Sequence, residues 1–321
     1  MTPRRFAIAV AVCLAVLLAF NAAVWSASRS TQRQQALGQA RAAGSAHALF
    51  FGNSLMAGGC DPEAFAASWR ASTGTGIAAM NLALGQSGPV EHWLLAKTAF
   101  AAQPRPRLVV YGFFDTQLTD PCRGGWGDLT GNRALAYSFP GEAARFYGDG
   151  STVAHAWYAT VGAIPLLSER WSLWSRVESG RRRLEALGMP PRADNRFGRA
   201  GDFAAFNQDA EGMHARCRGV VTGDGSFSPP IAELLRGARS TGARTVLVAM
   251  PMPERHRRGF YAQDAWSSYA AWIRDQAALA GGEVVDASDW LTDDAFVDDV
   301  HLGDPGSAAF CTKLAEVLSV P

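Results

Sequence analysis

The chain reads as an α/β protein built on an open parallel sheet, and three observations lead to that expectation. Five short apolar runs recur along it: His47–Gly52, Ile77–Leu84, Leu108–Phe114, Thr245–Met250 and Glu283–Asp286. They are continuous rather than alternating, the pattern of strands covered on both faces. Stretches with helical character separate them, and strands that alternate with helices build parallel sheets. The residues able to do chemistry stand at the ends of these runs, where open α/β sheets place their ligands.

The first element precedes the sheet. Residues 6–25 are apolar throughout except for Asn21, Arg4 and Arg5 lie before them, and no acid occurs ahead of Asp61. A run of about twenty apolar residues can span a bilayer, and basic residues before it hold that end in the cytoplasm. Residues 1–28 are therefore expected to form a transmembrane anchor, in a bacterial inner membrane with the rest of the chain in the periplasm. The alternative is a cleaved signal peptide with Ser26-Ala27-Ser28 as its small-x-small site, which gives a secreted protein. Either reading exports the remainder. Cys13 lies in the apolar run, whereas Cys60, Cys122, Cys217 and Cys311 then meet an oxidising compartment. One or two structural disulfides are expected there, and the three possible pairings stay open. Residues 29–45, polar and rich in Ala and Gln, read as a stalk or a short exposed helix.

Residues 46–321 form the main domain. Helices are expected at Pro62–Ser72, Val90–Ala102, Ser228–Ser240 and Trp266–Ala280. A last one covers about Pro305–Leu318, with Asp304 as N-cap and Pro305 at the first helical position. Between the third and fourth strands lies a long interval, 116–227, rich in Trp, Tyr, Gly and Arg. It is too long for an ordinary crossover and too aromatic for a disordered linker. It reads as a mostly helical or irregular insertion without a clear strand, a cap over the carboxyl ends of the strands. Arg170–Leu187 is helical in this reading and Pro190–Ala200 an exposed loop.

Composition excludes several classes. The chain is 48% apolar with 10 Trp and 17 Phe, which rules out a disordered polypeptide. Thirty basic residues against 29 acidic leave a net charge of +1, unlike the basic stripe of a nucleic-acid binder. Gly124-Gly-Trp-Gly127 lacks the Lys-Ser/Thr of a phosphate loop. No closely spaced Cys/His set suggests zinc, and no cofactor is expected.

Four blocks carry candidate chemistry. Phe51-Gly52-Asn53-Ser54 ends the first run, and a serine on a strand-to-helix turn suits a nucleophile beside backbone N–H groups. Asn81-Leu-Ala-Leu-Gly85-Gln-Ser-Gly88 ends the second, and Gly85 there could bring an N–H close to the serine. Val109-Val-Tyr-Gly112-Phe-Phe-Asp115 ends the third, with Asp115 expected to cap or support the first block. Phe296-Val-Asp298-Asp-Val-His301-Leu302 precedes the last helix. There His301 suits a general base toward Ser54, with Asp298 fixing its tautomer; Asp299 and Asp115 are alternative acids. Each block alone also fits an ordinary turn or cap. The expected geometry puts Ser54 Oγ within hydrogen-bond reach of His301, and His301 beside Asp298.

Taken in order, these blocks resemble the SGNH (GDSL-like) hydrolase superfamily, over about residues 46–115 and 244–318. The resemblance implies a flavodoxin-like sandwich with a five-stranded parallel sheet, ester chemistry on a serine, and members that transfer acyl groups to cell-surface polymers. By position it makes Ser54 the nucleophile, Gly85 an oxyanion donor, and Asp298 with His301 the rest of a triad. Two departures stand out. Asn53 replaces the family's frequent aspartate, and Phe114 stands where an oxyanion-hole asparagine is usual. A phenyl ring donates no hydrogen bond, and losing one such donor typically costs about 10²–10³ in rate. Membrane-anchored relatives of the alginate- and teichoic-acid-modifying kind also diverge here.

The expected function is hydrolysis or transfer of an acyl ester on an envelope or exported polysaccharide, with a membrane O-acyltransferase as a possible partner. The alternatives are a catalytically inactive carbohydrate-binding or scaffold protein on the same fold, and a soluble secreted esterase. Other residues were open to two readings. His92 and Glu91, at a helix start, fit structure better than catalysis. His256, in the basic run Glu254–Arg258, reads as part of a solvated surface on the site's rim, or as a contact for an acidic polymer. Trp126, Trp157, Trp171 and Trp174 suit core packing or sugar stacking.

Overall fold

The computed structural model describes residues 2–28, 31–85, 87–114, 117–119, 133–148, 150–169, 194–195, 198–199, 226–261, 264–298 and 300–320. Outside these lie Asp115, Asp299, Cys122, Cys217, Trp126, Trp171, Trp174, Gly124–Gly127 and the helix expected over 170–187. The chain divides into two compact units, Met1–Gly38 with Gly131–Pro191, and Gln39–Thr130 with Arg192–Pro321.

The second unit holds the sheet. Its strands are β1 (Ala48–Phe51), β2 (Ala79–Asn81), β3 (Leu108–Phe113), β4 (Arg244–Ala249) and β5 (Glu283–Asp286), all parallel, in the order β2-β1-β3-β4-β5. This is the flavodoxin-like strand order, with helices on both faces. β1, β3 and all of β4 beyond Arg244 are buried, as their unbroken apolar runs require. Alternation assigns their side chains to two layers. Ala48, Phe50, Leu108, Val110, Val246 and Val248 share a core cluster with Phe65, Phe310 and Leu314. Those last three lie on α4 (Pro62–Thr73) and on the C-terminal helix Asp304–Ser319, which pack together. On the other face, Phe51 meets the Phe100 ring edge-on at 5.9 Å. Phe100 ends α5 (Pro89–Phe100), which packs against the helix Pro229–Thr241.

The C-terminal helix begins one residue earlier than expected: Gly303, not Asp304, is its N-cap, and Asp304 is its first residue. Ser307 N–H donates to the Gly303 carbonyl at 2.8 Å, which sets that start, and the missing N–H of Pro305 still falls among the unpaired donors of the first turn. Strand structure also enters the insertion. Asp194 pairs with Arg199 and Asn195 with Gly198 in a two-residue antiparallel ladder inside the stretch expected to be loop, and Thr119 bridges Phe227. Runs this short leave no periodicity to read.

A disulfide joins Cys60, just past α3 (Ser54–Gly59), to Cys311 in the C-terminal helix, across 251 residues, with Cα atoms 4.9 Å apart.

The first unit is built from distant parts of the sequence. α1 (Pro3–Ser28) is long and apolar enough to cross a membrane and carries Arg4 and Arg5 in its first turn. α2 (Gln32–Arg41) follows. It is not the exposed stalk its composition suggests, because Arg33, Ala36, Leu37 and Ala40, spaced along one helix face, are buried. Arg33 pairs with the buried Glu169 carboxylate at 2.5 Å. Burial lowers the Arg33 pKa, and the Glu169 charge opposes that shift. From the insertion come a short 3₁₀ segment at Arg133–Ser138 and three helices, α6 (Pro140–Tyr147), α7 (Thr152–Ala163) and α8 (Pro165–Ser168).

Replacing Cys60 and Cys311 together by serine should lower the unfolding free energy by up to ~5 kcal/mol, since the bond closes a very long loop in the unfolded chain. Denaturant titration with and without reductant measures this, and an unchanged midpoint would show that the bond contributes nothing.

Candidate active site

The site starts at the end of β1, where the chain must turn sharply. Gly52 sits at φ 145°, a conformation that disfavours side chains. A Cβ there would lie 2.8 Å from the Gly112 carbonyl oxygen and 2.9 Å from Met56 Cβ, so the turn also needs the space. Asn53 then caps α3: its Oδ1 accepts from Leu55 N–H at 2.9 Å. An asparagine serves as well as an aspartate in that role, and it fixes Ser54 as the first residue of the helix.

The acid and base come from the loop before the C-terminal helix. Phe296 and Leu302 bridge antiparallel, and Val297 N–H donates to the His301 carbonyl at 2.9 Å, closing residues 297–301 into a tight loop. Inside it, Asp298 Oδ1 accepts from the backbone N–H groups of Val300 (3.0 Å) and His301 (2.7 Å). This is why the three-residue spacing matters: it lets one carboxylate hold both the loop and the ring. His301 Nδ1 lies 2.8 Å from Asp298 Oδ2 and 3.0 Å from Oδ1. Nε2 lies 2.9 Å from Ser54 Oγ, a pair 247 residues apart in sequence.

Charge fixes the tautomer. Burial pushes the Asp298 carboxyl up, but the bonds from the His301 ring and from the two backbone N–H groups outweigh it and hold the pKa below its ordinary 3.8. An ionised carboxylate only accepts, so the proton of neutral His301 sits on Nδ1. Nε2, carrying no proton, accepts the hydrogen bond from the Ser54 hydroxyl. Such an array can activate a serine for attack on a carbonyl carbon.

Gly85 follows the extension of β2. Leu82 and Leu84 N–H groups donate to the Phe50 and Gly52 carbonyls at 2.8 and 2.9 Å, which carries the β2 end alongside the turn before Ser54. Phe114 is buried in the hydrophobic cluster that includes Leu55, Val300 and Leu302, the chain neighbours of Ser54 and His301. It supplies packing to the site.

Two supports escaped the sequence reading. Asn81, named only as the start of a block, donates through Nδ2 to the Met56 and Cys60 carbonyls, both at 2.9 Å, and accepts from Ala83 N–H. It thus ties the end of β2 to the helix that carries Ser54. A polar residue closing an apolar run was the available signal. The second support is a buried chain of hydroxyls and imidazole. The Ser87 hydroxyl donates to the Leu84 carbonyl, so its oxygen accepts from His92 Nε2–H at 2.7 Å. His92 Nδ1 in turn accepts from the Tyr111 hydroxyl at 2.8 Å. Burial lowers the His92 pKa to about 3 and raises that of Tyr111 well above 10.0, so both stay neutral. Glu91 Oε2 accepts from Gly88 N–H at 2.9 Å at the start of α5. These bonds brace the segment that follows Gly85 from the opposite side of the sheet to Ser54.

His256 corrects the reading of its basic run. The ring is buried, edge-on to Tyr261 at 5.5 Å, while Arg255 and Arg258 on the same turn stay exposed. Trp157 is exposed, in the first unit. Among the described residues no group of three or more His, Cys, Asp or Glu could hold a metal ion.

No protein-family model matches the chain, and no curated protein matches it. The functional reading therefore rests on the arrangement of Ser54, His301 and Asp298.

His92 makes stability depend on pH. The unfolded ring titrates near 6.5 and the folded one at about 3, so its contribution is complete above pH 6.5 and is lost as the pH falls between those values. Between pH 6 and 4, wild-type protein should lose ~1.4 kcal/mol per pH unit more than a His92→Gln variant. Parallel curves from urea unfolding would refute the assignment.

Proposed function

We propose that the chain is an SGNH-like serine esterase or O-acyltransferase, held to a membrane by α1, that works on an acylated envelope or exported polysaccharide. The observation that supports this reading is the hydrogen-bonded series Ser54–His301–Asp298, with Nε2 positioned to take the hydroxyl proton. Ser54 Oγ attacks the ester carbonyl carbon while its proton moves to His301 Nε2. The tetrahedral intermediate collapses, His301 returns that proton to the departing alcohol oxygen, and an acyl-Ser54 ester remains. Water or a sugar hydroxyl then gives its proton to His301 and attacks the acyl carbon, which releases an acid or a new ester and restores Ser54. Asp298 stays ionised and stabilises the imidazolium in both halves. Backbone N–H groups at Ser54 and Gly85 are the proposed oxyanion donors, as Phe114 offers none.

The membrane reading is supported by an apolar helix of sufficient length behind Arg4 and Arg5. It places the sheet-bearing unit outside an inner membrane, near polymer and a membrane O-acyltransferase that would supply the acyl group. One observation favours a second reading, a non-catalytic carbohydrate-binding protein on this fold: Phe114, where the resemblance expects an oxyanion-hole asparagine, is buried and its ring offers no donor.

A fluorophosphonate probe separates the two. Wild-type protein should be labelled and Ser54→Ala should not, and Asp298→Asn should cut the labelling rate by about 10³-fold or more. Equal labelling of wild type and Ser54→Ala, or none of either, would remove the catalytic reading.

A further inference from the structure

In a chain of which 18% of residues are charged, the stretch from Ser151 to Ser168 holds no Asp, Glu, Lys or Arg. It forms α7 and α8 of the first unit. Its apolar side chains are not all covered. Val153 is 79% exposed and Trp157 63%, on the α7 face that also exposes Ala156, Thr160 and Ala163. Ile164 and Leu167 are exposed where α7 meets α8. Scattered single apolar residues are ordinary on a water-facing surface, but a group of them on an uncharged corner marks a place of contact.

The same unit indicates what that contact is. α8 packs against α1, and Leu166 N–H donates to Asn21 Oδ1 at 3.1 Å. Asn21 is the polar residue of the run 6–25, so the break in apolar character has a purpose. It satisfies a backbone donor that would otherwise be unpaired in a medium without water. With residues 6–25 in the hydrocarbon layer, Asn21 lies four residues, about 6 Å, inside its outer end. α8 is pinned at that depth. Interfacial helices sit with their apolar face ~5–10 Å into the boundary between headgroups and acyl chains. The Arg33–Glu169 pair, one residue beyond α8, clamps the same unit with charges buried in protein.

We infer that the α7–α8 corner is a membrane-docking surface, seated in the outer-leaflet interface beside α1 with Val153, Trp157, Ile164 and Leu167 inserted. The inference rests on the anchor reading of α1 given above. Having no lysine or arginine, the corner is suited to any bilayer and needs no anionic lipid. Its role is to make the anchor a two-point attachment, a spanning helix plus an interfacial foot, which restricts how the first unit rotates about the helix axis.

The test uses the full chain in phosphatidylcholine vesicles, with a photoreactive benzoylphenylalanine in place of Trp157 or, separately, of Leu17 in α1. Both positions should yield lipid adducts on irradiation, identified by mass, and the Trp157 adduct should persist in 1 M salt. Lipid adducts at Leu17 with none at Trp157 would overturn the docking surface and leave the anchor intact. A cross-linked dimer from Trp157 would overturn it in favour of a second copy of the chain. Silence at both positions would overturn the anchor reading and the docking with it.

Discussion

The pairing of β1 with strands on both sides is the constraint from which the site follows. Ala48–Phe50 pair with β2 on one edge and Ala48–Phe51 with β3 on the other, and none of them is exposed. With every strand parallel, all their carboxyl ends fall on one side, and the pairing continues past β2 to bring Leu84 against Gly52. The backbone must leave β1 there without space for a side chain at Gly52, and the turn that results presents Ser54. The position of Ser54 is thus a product of strand register and glycine sterics, and the loop that ends at His301 meets it.

Two histidines show how environment divides one chemistry. His92 and His301 each contact a serine hydroxyl through Nε2. Around His92 the second partner is the neutral Tyr111 phenol, burial is complete, and the ring behaves as a fixed strut. Around His301 the second partner is a carboxylate held ionised by its bonds to that ring and to two backbone N–H groups. The partner beside the ring, a phenol in one case and a carboxylate in the other, rather than the ring or the serine, distinguishes the two sites.

How much of this was legible follows the same physics. β1, β3 and β4 could be read because a doubly covered parallel strand must be apolar along its length, whereas the half-buried edge strands β2 and β5 were legible only as short runs between helical stretches. Ser54 was readable as a serine at the end of a strand, and Asp298 with His301 as an acid and an imidazole three residues apart before the last helix. The Ser87–His92–Tyr111 chain was not, since its members have ordinary spacing and meet only across the sheet. The buried face of α2 stayed hidden for another reason: Arg33 and alanines make no apolar pattern, and the partner carboxylate is 136 residues away in Glu169. The pairing of Cys60 with Cys311 was one of three arithmetically equal choices.

That disulfide has a consequence for when the site can form. It fastens the helix that begins at Ser54 to the helix that follows His301, so the two sides of the hydrogen-bonded series are stapled by residues 251 apart in sequence. Ser54 leaves the ribosome early and then has no partner while the rest of the chain is synthesised. A chain not yet synthesised as far as residue 301 carries the serine without the imidazole, whatever else has folded. The series Ser54–His301–Asp298 therefore assembles late, and the bond to Cys311 locks it only after both of its sides are in place.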